Sequence, residues 1–285
     1  MKMLLRNLPL MRTADSVLPG YRLAMTITLA WLIGIVLLPL TVLVVSLFQF
    51  SPDAIWATLS NSRVQSAFLV SFGSAVGAAI IATLLGTIVA WVLTRYKFPG
   101  AALLDALVDI PFALPTAIAG IALSAIYAPD GWVGQFLGPL GIELVFNQTG
   151  ILLALVFIGM PFVVRSIEPV LAELDKELEE AAGSLGASRR QVFLRVIVPH
   201  IAPALLSGFA LAFARGLGEY GSVIFLAGNV PGVSEIVPLA IITALESYDL
   251  AGATTMAVLM LAISFSTLYF FNWLQHRLRR NMERA

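Results

Sequence analysis

The stretch Ala67–Leu93, AFLVSFGSAVGAAIIATLLGTIVAWVL, contains no charged residue. As an α-helix it is about 40 Å long at 1.5 Å per residue, more than the roughly 30 Å hydrocarbon core of a bilayer. The run is continuously apolar rather than alternating, which excludes a barrel strand. Lipid offers no partner to backbone N–H and C=O groups, so a segment of this kind crosses as a helix.

Five further apolar stretches lie on either side of it. They are Leu23–Phe48, Leu103–Tyr127 (with Asp105 and Asp109 in its first two turns), Gly150–Ile167 (Arg165 near its end), Ile201–Leu226 (containing Arg215 and Glu219) and Leu250–Leu274. Composition agrees: of 285 residues 59% are hydrophobic and 12% charged, about half the charged share of a soluble domain, and the mean hydropathy is +0.92. These values exclude an ordinary soluble enzyme and predict an all-α membrane protein with six transmembrane helices in a single domain, residues 1–285. Lys and Arg balance Asp and Glu at 17 each, so nothing points to nucleic acid as a partner. The absence of cysteine excludes disulfides and thiolate chemistry.

Fifteen of the 17 basic residues fall on one side of the predicted spans. Lys2, Arg6, Arg12 and Arg22 precede the first; Arg95 and Lys97 follow the second; Arg165, Lys176, Arg189, Arg190 and Arg195 lie at or beyond the fourth; Arg277, Arg279, Arg280 and Arg284 follow the sixth. The opposite side has only Arg63, and Arg215 is inside a span. By the positive-inside rule both termini are cytoplasmic. The first apolar run is too long for a cleaved signal peptide and reads as a retained helix.

The longest cytoplasmic connection is about Ser166 to His200. Leu171, Leu174, Leu178, Ala181, Ala182 and Leu185 keep helical spacing opposite a charged face. Gly186 stands where a helix end takes a left-handed residue. Ser188 and Gln191 have capping-box spacing, Val192, Phe193, Val196 and Ile197 form one face of a second short helix, and Pro199 is expected to end it. The result is a hairpin over about 171–199. From this pattern, an amphipathic pair resting on headgroups and a docking element for a cytoplasmic protein stand equal.

Glu180-Ala181-Ala182, three residues, Gly186, nine residues and then Val196-Ile197-Val198-Pro199 resembles the E-A-A-x3-G-x9-I-x-L-P signature of ABC-importer permease subunits, with Val196 and Val198 in place of the usual Ile and Leu. The segments LTRYKFPG (93–100), LDALVDIPFALPT (104–116) and RGLGEYG (215–221) are similar to the sulfate/thiosulfate branch of that family. Ala227-Gly228-Asn229, Ser234-Glu235-Ile236 and LESYD (245–249) are similar to its T (or U) subunit rather than its W subunit. The resemblance implies a type I ABC-importer fold in a bacterial-type inner membrane. It implies as partners a paralogous permease subunit, two ATPase subunits that use ATP and Mg, and an extracytoplasmic sulfate-binding protein. Glu180, Ala181, Ala182, Gly186 and Pro199 are then the residues that couple to the ATPase. A molybdate or tungstate permease is the near alternative, and an ion-gradient-driven anion transporter the distant one.

Arg215 and Glu219, four apart, share a face of the fifth helix and can pair. A charge near mid-bilayer costs about 2.5–3.5 kcal/mol or more, so the pair faces protein or a wet path. It is either a structural ion pair or a gate on an anion route; a forked, permanently charged guanidinium suits an oxyanion, while Glu219 opposes its field. Asp105 and Asp109 require basic partners, with Arg95 or the hairpin arginines as candidates. Pro111 and Pro115 should bend the third helix. The segment Gly228–Asp249 is either an outer helix contacting a delivery protein or a re-entrant packing piece. His200 and His276 sit at cytoplasmic ends, no GxxxxGK[ST] loop is present, and no cofactor or metal ligand set is read for this chain.

Overall fold

The structure, a computed structural model, describes residues 21–282, and every regular element among them is helical. Lys2, Arg6, Arg12 and Arg284, assigned above to the cytoplasmic side, lie outside the described residues. The chain divides into two units with the boundary between Ser51 and Pro52. The first contains α1 (Tyr21–Trp31) and α2 (Leu38–Leu47), joined without interruption by a π turn, Leu32–Leu37. In that turn Leu38 N–H donates to the carbonyl of Ile33, one residue further back than in an α-helix. The wider turn accommodates Pro39, whose ring would clash with a regular i−4 carbonyl, and Leu23–Leu47 stays long and apolar enough to cross a bilayer.

The second unit begins with α3 (Pro52–Ser60) and α4 (Ser62–Arg95). Asn61 caps α4 by accepting from Arg63 N–H. Ser74, Ala78, Ala82, Gly86 and Ala90 recur every fourth residue and are buried, a small-residue ridge that lets helices approach closely. A Cβ at Gly86 would lie 2.9 Å from Val163. Leu69, Ile80, Leu84 and Ile88 point outward and are exposed, as expected where the surrounding solvent is hydrocarbon.

The third predicted span is not one helix. It is divided into α5 (Ala101–Val108), α6 (Ile110–Ala113) and α7 (Thr116–Tyr127). Leu114 is extended at ψ 135°, because the ring of Pro115 disfavours helical backbone in the residue before it. After α8 (Gly134–Leu137) comes α9 (Gln148–Glu173), capped by Asn147 accepting from Gly150 N–H at 3.1 Å. The single amphipathic helix expected to run on to Leu185 is broken at Leu174, which is extended; Asp175 then caps α10 (Lys176–Ser184).

After the hairpin turn, α11 (Arg189–Val192), a π turn (Phe193–Ile197) and α12 (Val198–Leu217) form one continuous stretch. Pro199 therefore does not end the hairpin helix. As at Pro39, the residue before it bonds five back, Val198 N–H to the carbonyl of Phe193, and the chain enters the membrane segment uninterrupted. The fifth apolar run ends earlier than expected, at Leu217, and resumes as α13 (Val223–Leu226). Then follow α14 (Val237–Glu246) and α15 (Leu250–Met282).

The core is where α4, α9 and α12 meet, around Ala78, Ala82, Ile151, Val163, Ile167, Ala212 and Phe213. Among the described residues five helical stretches are long and apolar enough to span: Leu23–Leu47, Ser62–Arg95, Gln148–Glu173, Arg189–Leu217 and Leu250–Gln275.

Candidate functional site

The hairpin turn is closed by its backbone. Gly186 has φ +87°, the left-handed conformation expected of it. Ala187 N–H donates to the carbonyl of Ala182 at 3.0 Å and Gly186 N–H to that of Gly183 at 2.9 Å, the paired bonds of a Schellman end. The capping box is also present: Gln191 N–H donates to Ser188 Oγ and Ser188 N–H to Gln191 Oε1 at 2.8 Å. With termini satisfied this way, the tip needs no tertiary support. Leu185 is 89% exposed and Leu178 50%; Glu180, Ala181 and Gly186 are exposed and Ala182 half-buried. A Cβ added at Gly183 or Gly186 would meet nothing within 4 Å. The structure thus places Glu180, Ala181 and Ala182 at the end of α10 and Gly186 in the exposed turn just beyond it, whereas Pro199 lies beyond the π turn at the start of α12.

The hairpin base is buried through Leu171, Leu174 and Ile197 and tied to the end of α4. Arg95 Nη2 donates to Glu179 at 2.6 Å, its guanidinium lies 5.4 Å from the Trp91 ring, and Trp91 meets Phe193 edge-on at 5.8 Å. Arg95 is therefore not the partner of Asp105 and Asp109, and neither are the hairpin arginines. Their partner is Arg165 of α9. It contacts Asp109 through Nε at 2.9 Å and Nη2 at 2.7 Å, Asp105 through Nη1 at 2.7 Å, and Glu168 through Nη1 at 2.6 Å. Both carboxylates, four residues apart on one side of their segment, thus meet a single guanidinium on α9.

Arg215 and Glu219 do pair, Nη1 to Oε2 at 2.6 Å, but not along one helix. Gly218 closes α12, and Glu219 lies in the turn beyond it. There its Oε1 accepts from Ser222 N–H at 3.0 Å and Ser222 Oγ at 3.1 Å. Glu219 is 2% exposed while Arg215 is 35% exposed, so the carboxylate is enclosed and the guanidinium retains an open side. The turn packs against the break in the third run: a Cβ at Gly120 would lie 2.6 Å from the carbonyl oxygen of Ser222, and one at Gly221 would overlap Thr116.

Sequence reading did not anticipate the pairing of Glu235 with Arg63. Glu235 has no exposed side-chain surface and accepts from Arg63 Nε at 2.7 Å and Nη2 at 2.6 Å. Next to it, Val237 N–H, at the start of α14, donates to buried Ser71 Oγ at 2.8 Å. Val237 and Ala240 pack with Val64, Ala67 and Met256. The available signal was the isolation of Arg63 as the only basic residue on its side. Among the described residues no group of His, Cys, Asp and Glu is arranged to hold a metal ion.

A set of long apolar helices with small-residue contacts, broken runs and intramembrane charges, carrying one self-capped hairpin, defines a membrane transport subunit. Residues 82–280 match the family described as binding-protein-dependent transport system inner membrane component. The chain belongs to this family of inner-membrane ABC-importer permease subunits; ATP hydrolysis is the work of a different subunit. It is 44% identical over 266 residues to the sulfate transport system permease protein CysT of Salmonella typhimurium, covering 93% of this chain and 96% of the relative. The same identity and coverage hold for CysT of Escherichia coli, and CysT of Synechococcus elongatus is 45% identical over 87% of this chain and 90% of its own length. Among solved structures, a bacterial ABC transporter involved in alginate import superposes with TM-score 0.74 at 14% identity, covering 90% of this chain and 96% of that one. The MetNI methionine ABC transporter does so with TM-score 0.55 at 18% identity, covering 80% and 99%. These likenesses establish the fold.

Proposed function

We propose that this chain is the T-type permease subunit of an ATP-driven importer of sulfate and thiosulfate. The observation that carries the reading is 44% identity over 93% of the chain to relatives named sulfate transport permeases. The whole chain, residues 1–285, acts as one permease domain. Both termini are cytoplasmic and it crosses the membrane six times, the broken run α5–α7 supplying a crossing beside the five long helices. Paired with a paralogous subunit, it forms half of the pathway. An extracytoplasmic binding protein delivers the anion, and two ATPase subunits bind the exposed turn through Glu180, Ala181, Ala182 and Gly186, with Pro199 fixing the entry of α12. ATP-driven closure of the ATPases draws the two hairpins together and turns the cavity outward; hydrolysis resets it. Arg215, open on one side, offers a positive contact to the passing anion. Because Glu219 offsets most of its field, that contact is weak, as conduction requires.

The test is uptake of radiolabelled sulfate by vesicles containing the complete transporter. Excess sulfate or thiosulfate is expected to compete and molybdate not to; uptake blocked by molybdate and indifferent to thiosulfate would reassign the anion. Arg215→Ala should reduce sulfate uptake severalfold at normal expression, and unchanged uptake removes Arg215 from the pathway.

A further inference from the structure

One helix, α4, has an ion pair at each end. At its last residue Arg95 holds Glu179 of the hairpin arm α10, while Trp91, one turn earlier, holds Phe193 of the returning arm. At its first turn Arg63 grips fully buried Glu235 with two parallel hydrogen bonds, one residue before the α14 approach that Ser71 of the same helix caps. Between these ends α4 runs for 34 residues with no proline and no break, about 50 Å of continuous helix. It fits against α9 with almost no free space at Gly86 and Gly77.

The two arms of the hairpin are continuations of α9 and α12, so a force on the tip reaches those helices covalently. Nothing covalent carries it to α4; beside the packing of α4 on α9 and α12 in the core, Arg95 and Trp91 tie α4 to the hairpin itself. Arg95 is suited to this task. Its side chain is 12% exposed, its flat guanidinium stacks near an indole, and a charge-assisted bond there is stronger than one in water. At the other end Glu235 has no water to compensate for loss of Arg63, so the α14 approach follows α4 rather than detaching from it.

The geometry points to α4 as a rod that carries hairpin displacement to the segment before α14, at the other end of that helix, through Arg95–Glu179 as input and Arg63–Glu235 as output. Arg95 and Arg63 are positioning residues: neither is assigned a place on the exposed turn or a contact with the anion. This inference rests on the coupling role proposed for the hairpin.

The test uses the complete transporter in proteoliposomes, read by radiolabelled sulfate uptake, by stimulation of ATP hydrolysis by the binding protein, and by recovery of the ATPase with the tagged chain. R95Q and E179Q should each lower uptake about tenfold, within the 5–150-fold range of ordinary coupling energies, while the ATPase is still recovered. R95Q/E179Q should be no worse than either alone, and the exchange R95E/E179R should restore at least half of uptake. R63K, which keeps the charge but loses the two-pronged grip, should lower uptake severalfold and add nothing to R95Q. Uptake within twofold of the parent in R95Q, or losses that multiply when R63K and R95Q are combined, would overturn the rod. If R95Q does not assemble, the exchange variant decides: regained assembly without regained uptake rejects the inference. If the unmutated chain does not recover the ATPase, the coupling reading fails first and the rod fails with it.

Discussion

Two turns in this molecule close a helix with a side-chain or backbone cap, and their surroundings differ. At Leu185–Ser188 the caps are local, Leu185 is exposed, and a Cβ added at Gly183 or Gly186 would meet nothing. At Gly218–Ser222 the polar groups are also satisfied, by Glu219 and Ser222, but the neighbouring backbone is so close that Gly120 has no room for a methyl group. The first turn is self-sufficient and therefore free to receive another protein. The second is held by its neighbours, and those neighbours depend on it. Similar local chemistry thus leaves one turn open and locks the other into the fold.

The comparison breaks if stability responds in the wrong place. Glu219→Ala should have the largest effect. It leaves Arg215 without its partner and Ser222 N–H without an acceptor, at the low end of the about 3–5 kcal/mol for a broken buried pair because Arg215 keeps some solvent. Thermal unfolding in mild detergent should begin several degrees lower; an unchanged curve would mean the pair is not structural. Gly120→Ala comes next, at about 1–3 kcal/mol for overpacking against backbone, read the same way. Gly186→Ala should cost about 1 kcal/mol for a left-handed non-glycine residue, while the bulkier Gly186→Val should in addition uncouple ATP hydrolysis from uptake with assembly of the spans intact. Normal uptake by Gly186→Val would contradict the docking geometry. Leu185→Ala should leave stability within about 0.5 kcal/mol, as exposed substitutions do, yet weaken recovery of the ATPase. A drop in thermal stability would show that Leu185 is covered within this chain.

The parts legible in the sequence were those governed by local rules. Apolar length located the five long helices, and the Gly186 and Ser188–Gln191 spacings located the turn and its caps. Two features depended on contacts distant in sequence. Asp105 and Asp109 find Arg165, more than fifty residues away, and nothing local to their own segment names that partner. The hairpin helix stops at Leu174 because that side chain is drawn into the core, although the pattern of apolar residues continues past it. Pro199 was misread for a local reason: a proline preceded by a π turn does not stop a helix, and nothing in the spacing distinguishes that case. The ridge Ser74–Ala78–Ala82–Gly86–Ala90, which the sequence reading did not single out, follows a four-residue repeat and is the packing face of α4.

The central claim is that the self-capped turn is where the ATPase engages. The chain has no cysteine, so L185C places a single reactive thiol in it at the tip. In the assembled transporter, a short bifunctional reagent at that thiol should link this chain to the ATPase, with a yield that changes on adding ATP. A transporter that assembles and takes up sulfate but yields no such link, or links only to another membrane subunit, would contradict the account.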